Sequence, residues 1–493
     1  MAQVVNPSKI DFGAPAAERD INHGLYEYFF ESEAFQRMAS GQKTLVLGNR
    51  GSGKSAIFKV LAAREKAAGS VVLELAPEDY SYEILGSVLK RENEGAWAKH
   101  SAFSAAWKFL ILVLVMKKLT SAGPKYKKGA AARIYSYLRD NFKGAQDSPI
   151  SMLVSYVKRI EGVKVGPYEA GIKTRELAGL YRLEELEPLI PDLKELCHAR
   201  RVMVFVDELD RGWDNSEDAK AFVAGIVQAS MSLNEISPNF RINVSLRQEL
   251  YDNIPALYED AQKYRDVIEF IRWDEAKLLS LIAGRIRHSV QELVGESDES
   301  CWNAVFVETL QYRQTKSFNY VVDRSLYRPR EIIQFCTDAL EQSIDEQSFP
   351  IDYQVISHAE LQYSEARIKD IAAEYRFQYP GLLSVFEVFR GRTYSLERVD
   401  LEFLCLSVVE GEIRVDEEAS PWLNGQDPEY LIEVLWRVGF LRAQAVGGVK
   451  AFRRSGSTYV GPHQVANLNI ANVGRFQVHP MFRSFLGMKE AKG

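Results

Sequence analysis

The sequence contains few of the residues that build disulfide-bonded or metal-stabilised proteins. Its 493 residues include only four cysteines, none of them in a CxxC pair: Cys197, Cys301, Cys336 and Cys405. The seven histidines do not complete a metal-ligand spacing with these cysteines. We therefore expect buried free thiols and a reducing, cytoplasmic environment.

Long hydrophobic runs are also missing. The most apolar run, Phe109–Met116, has eight residues, whereas a helix that crosses a bilayer needs about 20. Met1–Pro15 lacks a basic region followed by an apolar one, so we expect no signal peptide. No membrane association is predicted.

The overall charge gives no general attraction to nucleic acid. Formal net charge is −6, and hydrophobic residues make up 46% of the chain, which is ordinary for a soluble globular protein of two to four domains. A local lysine cluster at 117–128 is the exception, and it suits either a solvated basic face or a contact with phosphates.

The strongest motif present is Gly48-Asn49-Arg50-Gly51-Ser52-Gly53-Lys54-Ser55, which matches G-x-x-x-x-G-K-[ST] in full. A predicted strand, 43–47, precedes it, and a predicted helix, 55–68, follows. Its glycines allow backbone N–H groups to surround a phosphate, Lys54 reaches the β- and γ-phosphates, and Ser55 ligates Mg²⁺. The NKxD motif of GTPases is absent, so ATP is favoured. The predicted nucleotide-contacting residues are Gly48, Asn49, Arg50, Gly51, Ser52, Gly53, Lys54, Ser55 and Ala56.

A second motif is an apolar strand, Val202–Val206, that ends in two acids. Downstream of a complete P-loop this is the Walker B pattern. It predicts Asp207 as a ligand of the magnesium ion and Glu208 as the general base that activates water. Asp210 and Asp214 follow closely, either as supporting acids or as residues of a solvated loop.

Three arginines are candidates for contact with the γ-phosphate. Arg247, with Ser245, ends the predicted strand 240–246 and suits a sensor position, or a surface arginine. Arg265 precedes the predicted strand 267–273 and suits a finger that reaches a neighbouring subunit, unless Asp266 or Glu269 pairs with it. Arg330 follows Pro329 at a predicted helix start and suits a second sensor, or a surface position.

The order of these motifs resembles the AAA+ and STAND branch of P-loop ATPases. More narrowly, Asp11-Phe12-Gly13, Ala17-Glu18-Arg19 and the sequence VDELDRGWD resemble bacterial P-loop ATPases that often occur among defence genes. The resemblance implies that residues around Phe12 to Arg19 line the adenine pocket. It also implies a homo-oligomer and a role in antiphage defence.

The predicted fold class is α/β. An N-terminal segment (1–40) precedes a P-loop ATPase core with a parallel sheet (41–275), which carries a helical insertion at about 97–195 with a hairpin near 162–173. A helical lid (276–385) follows. The last region, 386–493, has the helix, helix, β-ribbon order of a winged helix-like α+β domain.

The C-terminal region is a weak candidate for DNA binding. Winged helices place a helix in the major groove and a basic wing on the backbone. The helix here, 428–440, carries Glu429 and Glu433 and only one basic residue, Arg437. Basic positions are predicted on the strands that follow, namely Lys450, Arg453, Arg454, Arg475, His479 and Arg483.

The favoured function is an ATP-binding, ATP-hydrolysing regulatory switch that acts with a partner effector protein. No second catalytic set, such as a metal-nuclease motif or a Ser/His/Asp triad, is visible in the sequence. One alternative is a DNA-binding ATPase, a loader or remodeller that uses the C-terminal winged helix; nucleic acid is thus the less favoured partner. A third reading is a structural module gated by ATP, with very slow hydrolysis.

Overall fold

In the computed structural model, the described residues are 5–76, 96–141, 183–210, 213–258, 261–311, 314–444, 459–465 and 468–490. The predicted hairpin near 162–173 and the predicted basic positions Lys450, Arg453 and Arg454 lie outside these ranges. So do residues 142–182 of the predicted insertion.

The first half of the chain alternates strands and helices. Its strands are β1 (Leu45–Gly48), β2 (Val71–Leu75), β3 (Val202–Val206), β4 (Phe240–Arg247) and β5 (Ile268–Phe270). Its helices are α1 (Ala17–Asp20), α2 (Leu25–Tyr28), α3 (Glu33–Ala39), α4 (Lys54–Ala67), α5 (Ala96–Leu119), α6 (Ala130–Asn141), α7 (Leu183–Leu186), α8 (Ile190–Ala199), α9 (Glu217–Asn234), α10 (Gln248–Asp252), α11 (Pro255–Tyr258) and α12 (Ala261–Tyr264).

The second half is mainly helical and ends in a small antiparallel sheet. Its helices are α13 (Glu275–Ser289), α14 (Asp298–Asn303), α15 (Ser317–Val322), α16 (Pro329–Asp345), α17 (Tyr353–Glu374), α18 (Leu382–Glu387), α19 (Arg398–Val409), α20 (Ser420–Leu423), α21 (Pro428–Arg437) and α22 (Pro480–Arg483). Its strands are β6 (Ser395–Glu397), β7 (Leu441–Gln444), β8 (Tyr459–Val460) and β9 (Arg475–Val478).

The chain forms two compact units. The first contains residues 1–30, 50–52 and 273–493, and the second contains residues 31–49 and 53–272. The predicted lid, 276–385, and the predicted C-terminal domain, 386–493, belong to the same unit and share one hydrophobic core. The boundaries at 41, 276 and 386 stay predictions.

The second unit is built on the parallel sheet that the sequence predicts. Its strand order is β2-β3-β4-β1-β5, and every neighbouring pair is parallel. All five residues of β3 are buried, as expected for a strand covered on both faces. Because β4 separates β1 from β3, the P-loop strand and the Walker B strand both end beside the carboxyl end of β4.

Close packing of α5 against α9 covers part of this unit. A Cβ placed on Gly225 of α9 would lie 2.6 Å from the Cβ of Phe103, so the two helices approach as closely as a glycine allows. The Trp107 indole donates a hydrogen bond to the carbonyl of Phe222 at 3.3 Å. Among the described residues, no helix combines the length and apolar character that a membrane span requires.

A buried ion pair fixes the N-terminal segment in the first unit. The Arg285 guanidinium donates to the Asp20 carboxylate at 2.7 Å and to the carbonyl of Phe12 at 2.6 Å. The Tyr28 hydroxyl donates to the same carboxylate at 2.6 Å. Gly13 has φ +71°, and a Cβ there would lie 2.3 Å from both Arg285 and Asp20, so only glycine fits.

Phe12 belongs to the hydrophobic core of this unit. Its side chain is 2% exposed, and its ring lies 6.4 Å from that of Phe306. The expectation that Phe12 lines an adenine pocket is therefore wrong for this side chain, because its ring has no exposed face to offer a base.

The C-terminal residues form a four-stranded antiparallel sheet in the order β6-β9-β7-β8, with α19 and α21 packed together beside it. Of the basic positions predicted on β9 and after it, Arg475 is exposed, whereas His479 and Arg483 are held within the fold. Arg475 pairs with Glu397, His479 is 1% exposed, and Arg483 donates to the carbonyl of Val478 at 2.8 Å. Burial lowers the pKa of Arg483 to about 9, and the nearby Arg324 acts in the same direction.

We predict that Arg285→Met destabilises the protein strongly. The change leaves the Asp20 carboxylate buried without its counter-charge, which costs about 3–5 kcal/mol. Denaturant unfolding followed by tryptophan fluorescence measures this loss. The control is Lys9→Met, because the Lys9–Glu292 pair is more than half exposed, at 59% and 53%, so solvent screens it and its loss should change stability little. Equal, small effects of the two changes would contradict the assignment.

Candidate functional site

The P-loop connects β1 directly to α4. β1 ends at Gly48 and α4 begins at Lys54. Between them, Gly51 and Gly53 have φ values of +78° and +97°, a left-handed conformation that glycine adopts without steric cost. The loop therefore turns sharply at the N-terminus of a 14-residue helix, which is the geometry that binds phosphate through backbone N–H groups.

Lys54 is buried at the carboxyl edge of the sheet. Its ammonium donates hydrogen bonds to the carbonyls of Gly48 at 2.8 Å and Asn49 at 3.0 Å. Burial lowers the pKa of Lys54, while the carboxylates of Glu249, Asp210 and Asp207 act in the opposite direction. Three acids thus lie within electrostatic range of this one ammonium.

The Walker B acid Asp207 is held by its neighbour on β4. The Ser245 hydroxyl donates a hydrogen bond to the Asp207 carboxylate. Ser245, which with Arg247 is a candidate for the sensor position, thus contacts the carboxylate predicted to ligate the metal. The next residue, Glu208, has φ +58°, a strained conformation for a side chain with a Cβ that is characteristic of functional positions.

Arg247 is not a free surface arginine. Its guanidinium forms an ion pair with Asp210 and lies 3.9 Å from Glu249. Asp210 is therefore a partner of the sensor candidate rather than a residue of a solvated loop. Asp214 lies apart from this group; it is exposed and accepts a hydrogen bond from the backbone of Ser216 at 2.9 Å, ahead of α9.

Glu249 is a site residue that the sequence reasoning missed. It is the second residue of the short helix α10, which follows β4 immediately, and its carboxylate faces both Lys54 and Arg247. Its only sequence signal is its position two residues after the arginine that ends the strand, since α10 has no motif.

Arg330 contacts the tip of the P-loop within the first unit. α16 begins at Pro329, as the sequence predicts. The backbone N–H of Arg330 donates to the carbonyl of Gly51 at 3.3 Å, and a Cβ on Gly51 would lie only 2.9 Å from the Arg330 Cβ. The Arg330 side chain also donates to the carbonyl of Pro15 at 3.4 Å, and the Trp273 indole donates to the carbonyl of Ser52 at 2.9 Å.

Arg265 lies at the other end of the sheet strands from this group. It is exposed in the turn between α12 and the amino end of β5. Of its two predicted alternative partners, Glu269 is committed to Arg37 through two hydrogen bonds of 2.7 Å. The structure therefore brings Lys54, Asp207, Arg247 and Glu249 together within the second unit and leaves Arg265 outside that group.

The two oxygen ligands predicted for magnesium both lie where the P-loop and β3 end. Ser55 lies in the first turn of α4, and Asp207 follows the last residue of β3. No group of three or more His, Cys, Asp and Glu side chains in the described ranges suits a metal. Magnesium in phosphate sites commonly takes one or two protein ligands and completes its shell with phosphate oxygens and water, so this small donor set suits it.

The parallel sheet, the glycine-rich turn before α4 and the acid at the end of β3 together define a P-loop nucleotide-binding fold. Comparison with protein families gives one partial match, to the FunZ-associated C-terminal helical domain over residues 276–372. These residues cover helices α13 to α17 apart from their ends. The match involves a minority of the chain and says nothing about the P-loop itself.

Relatives and solved structures extend the comparison. The chain is 23% identical over 483 residues to the transposon gamma-delta 80.3 kDa protein of Escherichia coli K12, covering 96% of this chain and 66% of that protein. It is 27% identical over 164 residues to allergen Alt a 2 of Alternaria alternata, and the match covers 33% of this chain and 80% of that protein. The structure of the ORC2 protein of Aeropyrum pernix, solved with ADPNP and ADP, aligns over 95% of this chain and 92% of the ORC2 chain. The two sequences are 10% identical over this alignment, and its TM-score is 0.35. That score is too low to establish a shared fold.

We predict that Gly51→Ala weakens nucleotide binding. Position 51 has a left-handed backbone, which alanine adopts only with strain, and the added Cβ would press on the Arg330 Cβ at 2.9 Å. Gly69→Ala is the matched control, because Gly69 has φ +84° but nothing within 4 Å of the added carbon. Both changes cost about 1–2 kcal/mol of backbone strain. Titration with a fluorescent ATP analogue should show a lower affinity for Gly51→Ala alone; equal affinities would contradict the contact.

Proposed function

We propose that this protein is an AAA+-like ATPase switch that binds ATP with Mg²⁺, hydrolyses it, and passes its nucleotide state to a partner effector protein. The observation that carries the proposal is the convergence of Lys54, Asp207 and Arg247 at the carboxyl ends of three adjacent strands. A cation for the phosphates, a ligand for the metal and a second cation are the parts that phosphoryl transfer needs.

In this proposal the two cations, Lys54 and Arg247, exchange their present partners for the nucleotide. The Lys54 ammonium leaves two loop carbonyls and takes the β- and γ-phosphates. Ser55 and Asp207 hold Mg²⁺, which neutralises phosphate charge, while Ser245 keeps the Asp207 carboxylate oriented. Glu208 removes a proton from the attacking water, and Arg247 transfers from Asp210 to the γ-phosphate.

Arg265 completes the site from a second copy of the chain. Its exposure before β5 leaves its guanidinium available to a neighbouring subunit rather than to its own Lys54 group. A homo-oligomer that inserts this arginine next to the γ-phosphate would couple hydrolysis to assembly. Arg330 acts as the second sensor at the loop tip, beside Gly51.

The segment Leu326–Arg330 connects the P-loop tip to the C-terminal residues inside the first unit. At one end, Arg330 contacts Gly51. At the other, Leu326 packs on Gly439, where a Cβ would lie 3.1 Å from it, and the Tyr327 ring lies 4.9 Å from that of His463. Both ring nitrogens of His463 are buried and have no hydrogen-bond partner among the described residues, so the contact depends on packing there.

We assign the region after residue 386 as a winged helix that binds protein. The order of its helices and its β6-β9-β7 pairing support this assignment. DNA recognition by this module is disfavoured because α21 exposes Glu433 beside Arg437, Glu429 pairs with Arg398, and His479 is buried. An effector protein is the better fit, and antiphage defence as its setting rests on the sequence resemblance.

We predict that Lys54→Ala abolishes ATP binding, whereas Glu208→Gln binds Mg²⁺–ATP but turns it over about 10²–10⁴-fold more slowly, as expected for loss of a general base. Phosphate release and equilibrium ATP binding measure the two effects separately. Lys59→Ala is the control, because Lys59 lies on the same helix and pairs with Glu74 at the surface.

Two outcomes would overturn parts of this proposal. Unchanged turnover in Glu208→Gln removes the hydrolytic assignment and leaves only nucleotide binding. For the oligomer, Arg265→Ala should lose turnover and regain it when mixed with Lys54→Ala chains, since each supplies what the other lacks. If mixing restores nothing, Arg265 does not act across a subunit boundary.

We predict that His463→Ala uncouples the C-terminal turn from the nucleotide. In hydrogen–deuterium exchange, ATP should slow exchange at residues 461–465 in the unmodified protein but not in His463→Ala. Tyr327→Phe is the control, because it loses the 3.1 Å hydrogen bond to Glu275 yet keeps the ring that His463 contacts. Equal protection in all three proteins would show that this contact transmits nothing.

A further inference from the structure

Residues 96–139 differ in charge from the rest of the chain. They contain nine Lys and Arg residues and no Asp or Glu, although the whole chain has a net charge of −6. The stretch covers α5, the turn after it and most of α6. A segment of this kind in an acidic protein produces a local positive field that the overall charge conceals.

Four of these lysines are exposed around the turn between α5 and α6: Lys118, Lys125, Lys127 and Lys128. We call them the lysine turn. Within the part of the chain that the structure describes, their ammonium groups make no ion pair or hydrogen bond. Lysines elsewhere on the surface are commonly paired, as Lys66 is with Glu74 and Lys369 with Glu365.

The lysine turn is held in a defined shape by the backbone beneath it. Thr120 donates to the carbonyl of Met116 at 2.8 Å, and the Tyr126 hydroxyl donates to the carbonyl of Leu119 at 3.2 Å. The flanking helices are anchored by Met116 and Ile134, both fully buried. The ammonium groups are thus carried on an ordered turn, which reduces the entropy lost when a ligand orders them.

We infer that the lysine turn binds the phosphate backbone of duplex nucleic acid without reading its sequence. Between Lys117 and Gly129 there is no Arg, Asn or Gln, the side chains that most often recognise base edges, and the exposed side-chain donors are lysines with Ser121. Lysine binds phosphate as a point charge and displaces counterions, which is sequence-independent. The first turn of α6 contains no acid to oppose this.

An anionic membrane is a less suitable partner for this surface. Segments that bind lipid surfaces combine basic residues with exposed large apolar side chains that enter the headgroup region. The exposed large hydrophobic residues of the described chain, such as Val399 and Phe403, lie outside 96–139. This surface is also separate in sequence from the C-terminal region, and its proposed binding requires neither ATP nor hydrolysis.

The test is fluorescence anisotropy of a labelled duplex of about 30 base pairs with the full chain, without nucleotide, across a range of salt concentrations. Four phosphate contacts predict a slope of about −3.6 in log affinity against log salt, or a loss of roughly 10²-fold between 50 and 200 mM. Two duplexes of unrelated sequence should bind equally. The variant Lys118→Glu, Lys125→Glu, Lys127→Glu, Lys128→Glu should lose most of the affinity and most of the slope.

The matched control carries the same change in charge elsewhere: Lys316→Glu, Arg376→Glu, Arg414→Glu, Lys489→Glu, all at exposed positions. It should retain the slope of the unmodified protein. A fourfold Lys→Gln version of the lysine-turn variant, with its melting temperature checked, covers the case in which the charge reversal impairs folding. The inference is overturned if the duplex does not bind at 50 mM salt, if both variants weaken binding equally, or if vesicles of phosphatidylserine bind the turn and DNA does not.

Discussion

The burial of one ammonium group, Lys54, determines how the carboxyl edge of the parallel sheet is arranged. An isolated charge in that position would be very unfavourable, so it is surrounded by two loop carbonyls and three carboxylates within electrostatic range. The carboxylates of Asp207 and Asp210 follow the end of β3, and that of Glu249 lies in α10. Arg247 and Ser245 then bind two of those carboxylates in turn. Lys54, the acids that follow β3 and the last residues of β4 therefore form one charge network.

The first unit depends on a second buried charge pair, Asp20 with Arg285, for a different purpose. Here the ion pair joins two parts of the chain that are 265 residues apart, so the N-terminal segment becomes part of the helical core. This arrangement explains the residue types at positions 12 and 13. Phe12 fills the core, and Gly13 leaves space for the Arg285 guanidinium. The motif Asp11-Phe12-Gly13 thus has a structural reason that its resemblance to known ATPases did not supply.

Local patterns predicted the elements well and their partners poorly. The strand 202–206 is found where the apolar run predicted it, and α16 starts at Pro329 because proline suits the first turn of a helix. Partners of Ser245, Asp210 and Glu249 depend on which strands become neighbours, and sequence spacing carries little of that information. His479 and Arg483 were expected on a basic surface, and only packing revealed that they point into the fold.

The backbone of the five residues Leu326–Arg330 has little conformational freedom. Tyr327 holds a left-handed backbone at φ +56°, the Pro329 ring fixes its own φ, and Arg328 is tied to Glu374 at 2.9 Å. A flexible segment between Gly51 and His463 would absorb a small displacement, whereas a rigid segment does not. Because these constraints make the segment rigid, the proposed switch would carry a shift of Arg330 against the loop tip to the packed turn beyond Tyr327.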